Sequence, residues 1–202
     1  NSNASALSLN ATFVAKEIDY ALGSGDLGQN RTYTTSGDTF TGGNNNNPNN
    51  LYRFLTANNT NNISELKVGD AGLGDTSDAI IRANGLLDLA QGGTYDIRVT
   101  ADDGYRLMIA GQIVAVADYI QPTKAKVFSG ITLSGDLQPM ELLYWDQGGA
   151  ATLKIEFKFS GSADSTYKVL GSSGLELYQA PGNGQELVQT STGWALHTIE
   201  TV

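Results

Sequence analysis

The chain has 202 residues, with 12 Lys+Arg against 21 Asp+Glu, one His, 24 Gly and no Cys. The net charge of -9 argues against nucleic acid and anionic membrane surfaces, both of which call for clustered Lys and Arg. The lack of Cys removes disulfides, Cys–zinc sites and thiol nucleophiles, and a lone His gives little support to a His-built metal site or a Ser-His-Asp triad.

Helical periodicity is nearly absent along the chain, and period-two alternation is common. Leu7, Leu9, Ala11 and Phe13 alternate with Ser8, Asn10 and Thr12. A stretch from Asp38 to Asn62 is dominated by Asn. Polar tracts of this kind supply no packed core, so it reads as a long surface loop with one short strand, Leu51 to Leu55, pinned inside it. Asp78 to Asp88 could pass for a short helix, but Gly85 interrupts it. Tyr95, Ile97 and Val99 alternate with Asp96, Arg98 and Thr100, and Leu153, Ile155, Phe157 and Phe159 with Lys154, Glu156 and Lys158. Each set reads as a strand with one buried and one wet face.

Shorter strand candidates run Arg106 to Ala110, Gln112 to Ala117, Val127 to Leu133, Met140 to Trp145, Leu175 to Gln179 and Trp194 to Val202. Ala110-Gly111-Gln112 fits a tight hairpin. Many short strands divided by Gly, Asn, Asp and Ser predict an all-β antiparallel β-sandwich with long surface loops. No repeat or linker divides the chain, so residues 1–202 read as one domain. No run of about 18 apolar residues is present to span a membrane. The chain starts at Asn1 with no Met and reads as a module of something longer.

Several motifs dissolve on inspection. Gly23-Ser24-Gly25-Asp26-Leu27-Gly28 matches a dinucleotide fingerprint, but poor helix formers follow it and Asp26 would repel a pyrophosphate. Sequons begin at Asn3, Asn10, Asn30, Asn58 and Asn62, as chance expects in this composition. His197, in a final strand and without a second His, reads as structural. Asp70, Asp75 and Asp78 could form a second calcium loop, but their spacing is not that of an EF-hand loop, and solvated turn charges are the favoured reading. No pair of separated carboxylates suited to glycoside hydrolysis stands out, so no enzyme is expected.

There are 14 Asp and 7 Glu, and the most telling Asp residues are adjacent. Thr100 to Leu107, with Asp102-Asp103-Gly104 inside it, and Tyr144 to Ala151 each lie between two strand candidates. Both fit loops at one end of a sandwich, where binding sites gather. In an extended strand neighbouring side chains point to opposite faces. Asp102 and Asp103 reach one point only if the backbone departs from that geometry, as a cis peptide would make it do. Two carboxylates at one point repel unless a cation lies between them. An oxygen-only site without His or Cys favours calcium over zinc. Composition alone reads Asp-Asp-Gly as a solvated hairpin turn.

The surrounding pattern shifts that weighing. Gly93 to Val114 resembles the protective-antigen-type (PA-fourteen) domain, whose hallmark is a Gly-x-Tyr strand, then Ser-Asp-Asp-Gly-x-x-Leu, then a hairpin with x-Gly before an apolar strand. Here Ala101 replaces the usual Ser, and Ala110 the frequent Asp before Gly111. Leu142-Leu143-Tyr144-Trp145, Gly148-Gly149-Ala150-Ala151 and Leu153 to Phe157 resemble the family's later strand, loop and strand. The resemblance covers about 78–159.

The resemblance implies a β-sandwich lectin in which a cis Asp-Asp pair binds calcium and the ion holds two sugar hydroxyls. By that likeness Asp102 and Asp103 are the carboxylate pair, Gln147 the side-chain amide ligand, and Gly149 and Ala151 the carbonyl ligands. Gln in place of the usual Asn leaves the register open by a residue, so Asp146 could be the side-chain ligand instead. Trp145, Tyr119 and Gln121 are further candidates to meet a sugar.

The composition resembles that of giant repeats-in-toxin adhesins of marine bacteria. The expectation is therefore a calcium-dependent, extracellular sugar-binding module that takes neutral monosaccharides such as fucose or glucose. The competing readings are a carbohydrate-binding domain appended to a glycosidase and a calcium-rigidified docking module.

Overall fold

The computed structural model describes residues 11–23, 27, 33–36, 39–43, 50–68, 78–191 and 193–198. In chain order the strands are β1 (Ala11–Ala15), β2 (Asp19–Leu22), β3 (Tyr33–Ser36) and β4 (Thr39–Gly43). The helix α1 (Asn50–Thr56) follows, then β5 (Ile63–Val68), β6 (Ala79–Leu89), β7 (Gly93–Asp102), β8 (Gly104–Ile109) and β9 (Gln112–Ala117). The rest are β10 (Lys124–Leu133), β11 (Asp136–Asp146), β12 (Ala151–Phe159), β13 (Lys168–Val169), β14 (Leu175–Tyr178), β15 (Gln185–Thr190) and β16 (Gly193–Thr198).

Two five-stranded antiparallel sheets make the sandwich expected from the alternation. One runs β14-β6-β11-β8-β9. In the other, β10 pairs β7 and β7 pairs β12. The far edge of β12 is shared by β2, which pairs residues 151–154, and by β13, which pairs residues 156–157. The inward set of β7 is Tyr95, Ile97, Val99 and Ala101, and that of β12 is Leu153, Ile155 and Phe157, all buried. They pack in one cluster with Leu87, Leu107, Ile109, Leu142 and Tyr144 of the facing sheet, which is the term that drives folding.

The Ala110-Gly111 hairpin forms as expected. Both residues have positive φ, 49° and 78°, the pairing that matches a two-residue turn to strand twist.

One expectation is corrected. Leu51 to Leu55 is not a strand but lies in α1. Its buried apolar residues, Leu51, Phe54 and Leu55, recur at helical spacing, and the Phe54 ring lies between Tyr20 (5.5 Å, tilted) and Tyr144 (5.6 Å, stacked). The Asn-rich stretch is thus not all surface loop, since Asn50 and Asn62 are also buried. Asn62 Nδ2 donates to the Asp19 carbonyl at 2.7 Å.

The stretch Asp78 to Asp88, where Gly85 spoke against a helix, is strand from Ala79 on. Gly85 sits in β6 because a Cβ there would come within 2.6 Å of the Tyr178 carbonyl oxygen on the neighbouring β14. Residues 1–10, 24–26, 28–32, 37–38, 44–49, 69–77, 192 and 199–202 lie outside the described residues. Among them are the alternating Leu7 and Leu9, most of the glycine motif, Asp70 and Asp75, the sequons at Asn3, Asn10 and Asn30, and the end of the strand expected from Trp194 to Val202.

Candidate functional site

Three connections cross between the sheets at one end of the sandwich. At Asp103 the chain passes from β7 to β8, residues 118–123 join β9 to β10, and residues 147–150 join β11 to β12. Pairing register brings them together. Trp145 lies opposite Gly104, Thr152 opposite Asp102, and Lys124 opposite Ala101. Residues far apart in sequence therefore meet there because both sheets end in step.

The Asp102–Asp103 peptide is cis. Carboxylate oxygens of Asp102, Asp103 and Asp146 all lie within 4.8 Å of one another. Asp103 is 3 % exposed and Asp146 1 %. Backbone N–H groups hold this cluster in place. Asp103 accepts from Gln121 N at Oδ1 (3.0 Å) and from Gln147 N at Oδ2 (2.8 Å). Asp146 Oδ2 accepts from Gly148 N at 3.1 Å. Thr123 Oγ1 donates to Asp102 Oδ2 at 3.1 Å, and Gln121 Nε2 to the Asp103 carbonyl at 2.9 Å.

Behind the cluster, Tyr144 donates its phenol to the Asp102 carbonyl. Burial pushes that phenol well above its ordinary value, and the charges of Asp146, Asp102 and Asp103 add to the shift. The hydroxyl therefore stays a neutral donor. Burial, and behind it the charge of Asp103, also pushes the Asp102 carboxyl up, against the hydrogen bond from Thr123.

The donor set fits a hard cation. Oxygens on opposite sides of a calcium ion stand about 5 Å apart, twice a bond length of 2.3–2.6 Å, and the carboxylates fall inside that span. The carboxylate triad contains neither His nor Cys, which sets the site against zinc.

The other sequence candidates divide. Of the two rivals for the side-chain position, Asp146 is in the triad, whereas Gln147 is exposed and meets Asp103 through its backbone. Gly149 is exposed with φ 91°, and Ala151 is buried at the start of β12. Trp145 is half-buried against Gly104. Tyr119 is 48 % exposed and close enough to the buried Tyr105 phenol that it adds to the burial that pushes Tyr105 up to about 12. The sequence reading missed Thr123 and the support from Tyr144. An isolated Thr after Pro122 carries no signal of its partner, and Tyr144 reads as plain core from its apolar neighbours.

No family model and no curated protein matches the sequence. Solved structures do. The chain resembles a PA14 sugar-binding domain from an RTX adhesin at 34% identity and TM-score 0.58, covering 83% of this chain and 79% of that one. It also resembles the PA14 domain of the MpAFP antifreeze protein at 28% identity and TM-score 0.66, covering 87% of this chain and 79% of that one. A third of the residues are identical across most of both chains, and the Asp-Asp-Gly turn lies between strands in the expected order, so the chain belongs to the PA14 domain family.

Proposed function

We propose that this chain is a calcium-dependent sugar-binding module of an extracellular adhesin, formed by one PA14 domain. The observation that carries the reading is the convergence of Asp102, Asp103 and Asp146 within 4.8 Å where three inter-sheet connections meet. The likeness to a PA14 sugar-binding domain from an RTX adhesin supports it.

Asp102, Asp103 and Asp146 would hold a calcium ion, which would supply open oxygen-coordination positions for two neighbouring sugar hydroxyls. The chain's own residues hold the carboxylates in advance. Gln121 and Gln147 fix Asp103, Gly148 fixes Asp146, and Thr123 fixes Asp102. Such preorganisation lowers the ordering cost of binding. Exchange of sugar for water at the ion gains little, so the expected affinity is on the order of millimolar to micromolar. The ligand is a neutral sugar with a vicinal diol, of the fucose or glucose kind.

The test is calorimetric titration of fucose and glucose with calcium present, after chelation, and with Asp102→Ala. Binding that needs both the ion and Asp102 supports the reading, whereas binding that survives chelation sinks it. A protein that calcium stabilises against heat but that binds nothing on a glycan array instead has a rigidifying role.

A further inference from the structure

Residues 118–123 close the same end of the sandwich as the carboxylates and are fastened to them. Gln121 is 7 % exposed. It gives one hydrogen bond to the Asp103 carboxylate and a second, from its side-chain amide, to the Asp103 carbonyl. Thr123 reaches Asp102 from the other side of Pro122. The two residues just before Gln121 have the opposite environment, for Tyr119 is 48 % exposed and Ile120 66 %. A polar residue buried beside two exposed apolar ones reverses the usual order. The reversal means that the loop is positioned by its polar anchor and not by packing of its apolar side chains.

We infer that Gln121 is a positioning residue that ties this loop to Asp103, so that Tyr119 and Ile120 stand as an apolar wall beside the carboxylates. A wall of this kind selects sugars that present a C–H face next to the diol. The inference rests on the sugar-binding reading above. Gln121 itself is turned to Asp103 and meets the ligand only through the loop it holds. The residue that would hold the ion thereby also sets the wall's place.

The experiment is a double-mutant cycle between Ile120→Ala and Gln121→Glu, read as sugar affinity at saturating calcium, with calcium affinity measured separately in the absence of sugar. Gln121→Glu keeps the size and the backbone N–H but turns an acceptor toward the Asp103 carbonyl. Ile120→Ala alters only an exposed side chain. It is expected to weaken sugar binding about fivefold and leave calcium affinity unchanged. In the Gln121→Glu background, where the side-chain anchor is lost and an acceptor repels the Asp103 carbonyl, the wall is displaced and the same change is expected to cost less than about twofold.

Ile120→Ala with unchanged sugar affinity overturns the inference, as do effects that simply add. Wild-type protein that binds no sugar in calcium overturns the sugar reading and this inference together. A calcium-dependent wild type with indifferent loop variants overturns this inference alone.

Discussion

The indole of Trp145 occupies the space that a Cβ on Gly104 would need, with Cε2, Nε1 and Cζ2 all inside contact distance of it. The two residues face each other across the β8–β11 pairing, one step from Asp103 and Asp146. The Gly of Asp-Asp-Gly is therefore a packing requirement. Gly104→Ala forces the indole to move and is expected to destabilise the protein by about 1–3 kcal/mol. Thermal melting should fall by about 2–4 °C for each kcal/mol in a chain of this size, and calcium affinity should fall with it. An unchanged melting temperature would show that the indole has room to shift.

Tyr144 links the carboxylates to α1. Its hydroxyl holds the Asp102 carbonyl, and its ring stacks on Phe54 at 5.6 Å and 14°. Tyr144→Phe removes one buried hydrogen bond and is expected to cost about 1–3 kcal/mol, because a carbonyl is left without its donor. Phe54→Ala opens a cavity under the same ring, for about 3–5 kcal/mol. Chemical denaturation measures both losses, and a calcium titration should show both variants binding the ion more weakly than wild type. Calcium affinity unchanged in Tyr144→Phe would leave the Asp102 carbonyl with no part in shaping the site.

Glu141 offers a test in pH. It takes Arg82 and Arg106 at 2.8 Å each, bridging β6 and β8 across β11. The Arg82 hydrogen bond, ahead of that from Arg106, holds its carboxyl below the ordinary value against a smaller push from burial. A depressed carboxyl binds fewer protons folded than unfolded, so its contribution is present above the ordinary glutamate range and disappears as pH falls through the depressed value. All three side chains are partly exposed, which limits the gain to about 0.5–1 kcal/mol. Glu141→Gln should therefore melt slightly lower than wild type at neutral pH and match it in acid. A gap that persists or grows in acid would contradict the assignment.

The strands were legible because alternation records which side of a sheet is wet, and Tyr95-Ile97-Val99 and Leu153-Ile155-Phe157 both keep their apolar set inward. α1 was obscured by the Asn residues around it, since seven helical residues hold too few turns for their period to stand out. Asp102 and Asp103 could be singled out because adjacency itself raises the question of repulsion. The hydrogen bonds that Gln121, Thr123 and Gln147 give to the carboxylates could not be read in the same way. They come from loops whose meeting depends on the register of β10, β11 and β12, and that register follows from the packing of the whole sandwich.

The same limit left Asp146 and Gln147 as rivals for the side-chain position, and their surroundings differ. Asp146 is buried in the triad with Asp102 and Asp103. Gln147 is exposed and serves Asp103 through its backbone N–H, which survives any side-chain change except Pro. Asp146→Asn keeps size and shape and removes one of three charges that would face the proposed ion, so calcium affinity should fall by about ten- to a hundredfold, in line with about 1.5–3 kcal/mol for charge-assisted contacts. Gln147→Ala should change it by less than about threefold. Calcium titrations on the two variants decide the matter. A larger loss in Gln147→Ala would return the side-chain position to the amide and make Asp146 a brace for the Gly148 turn.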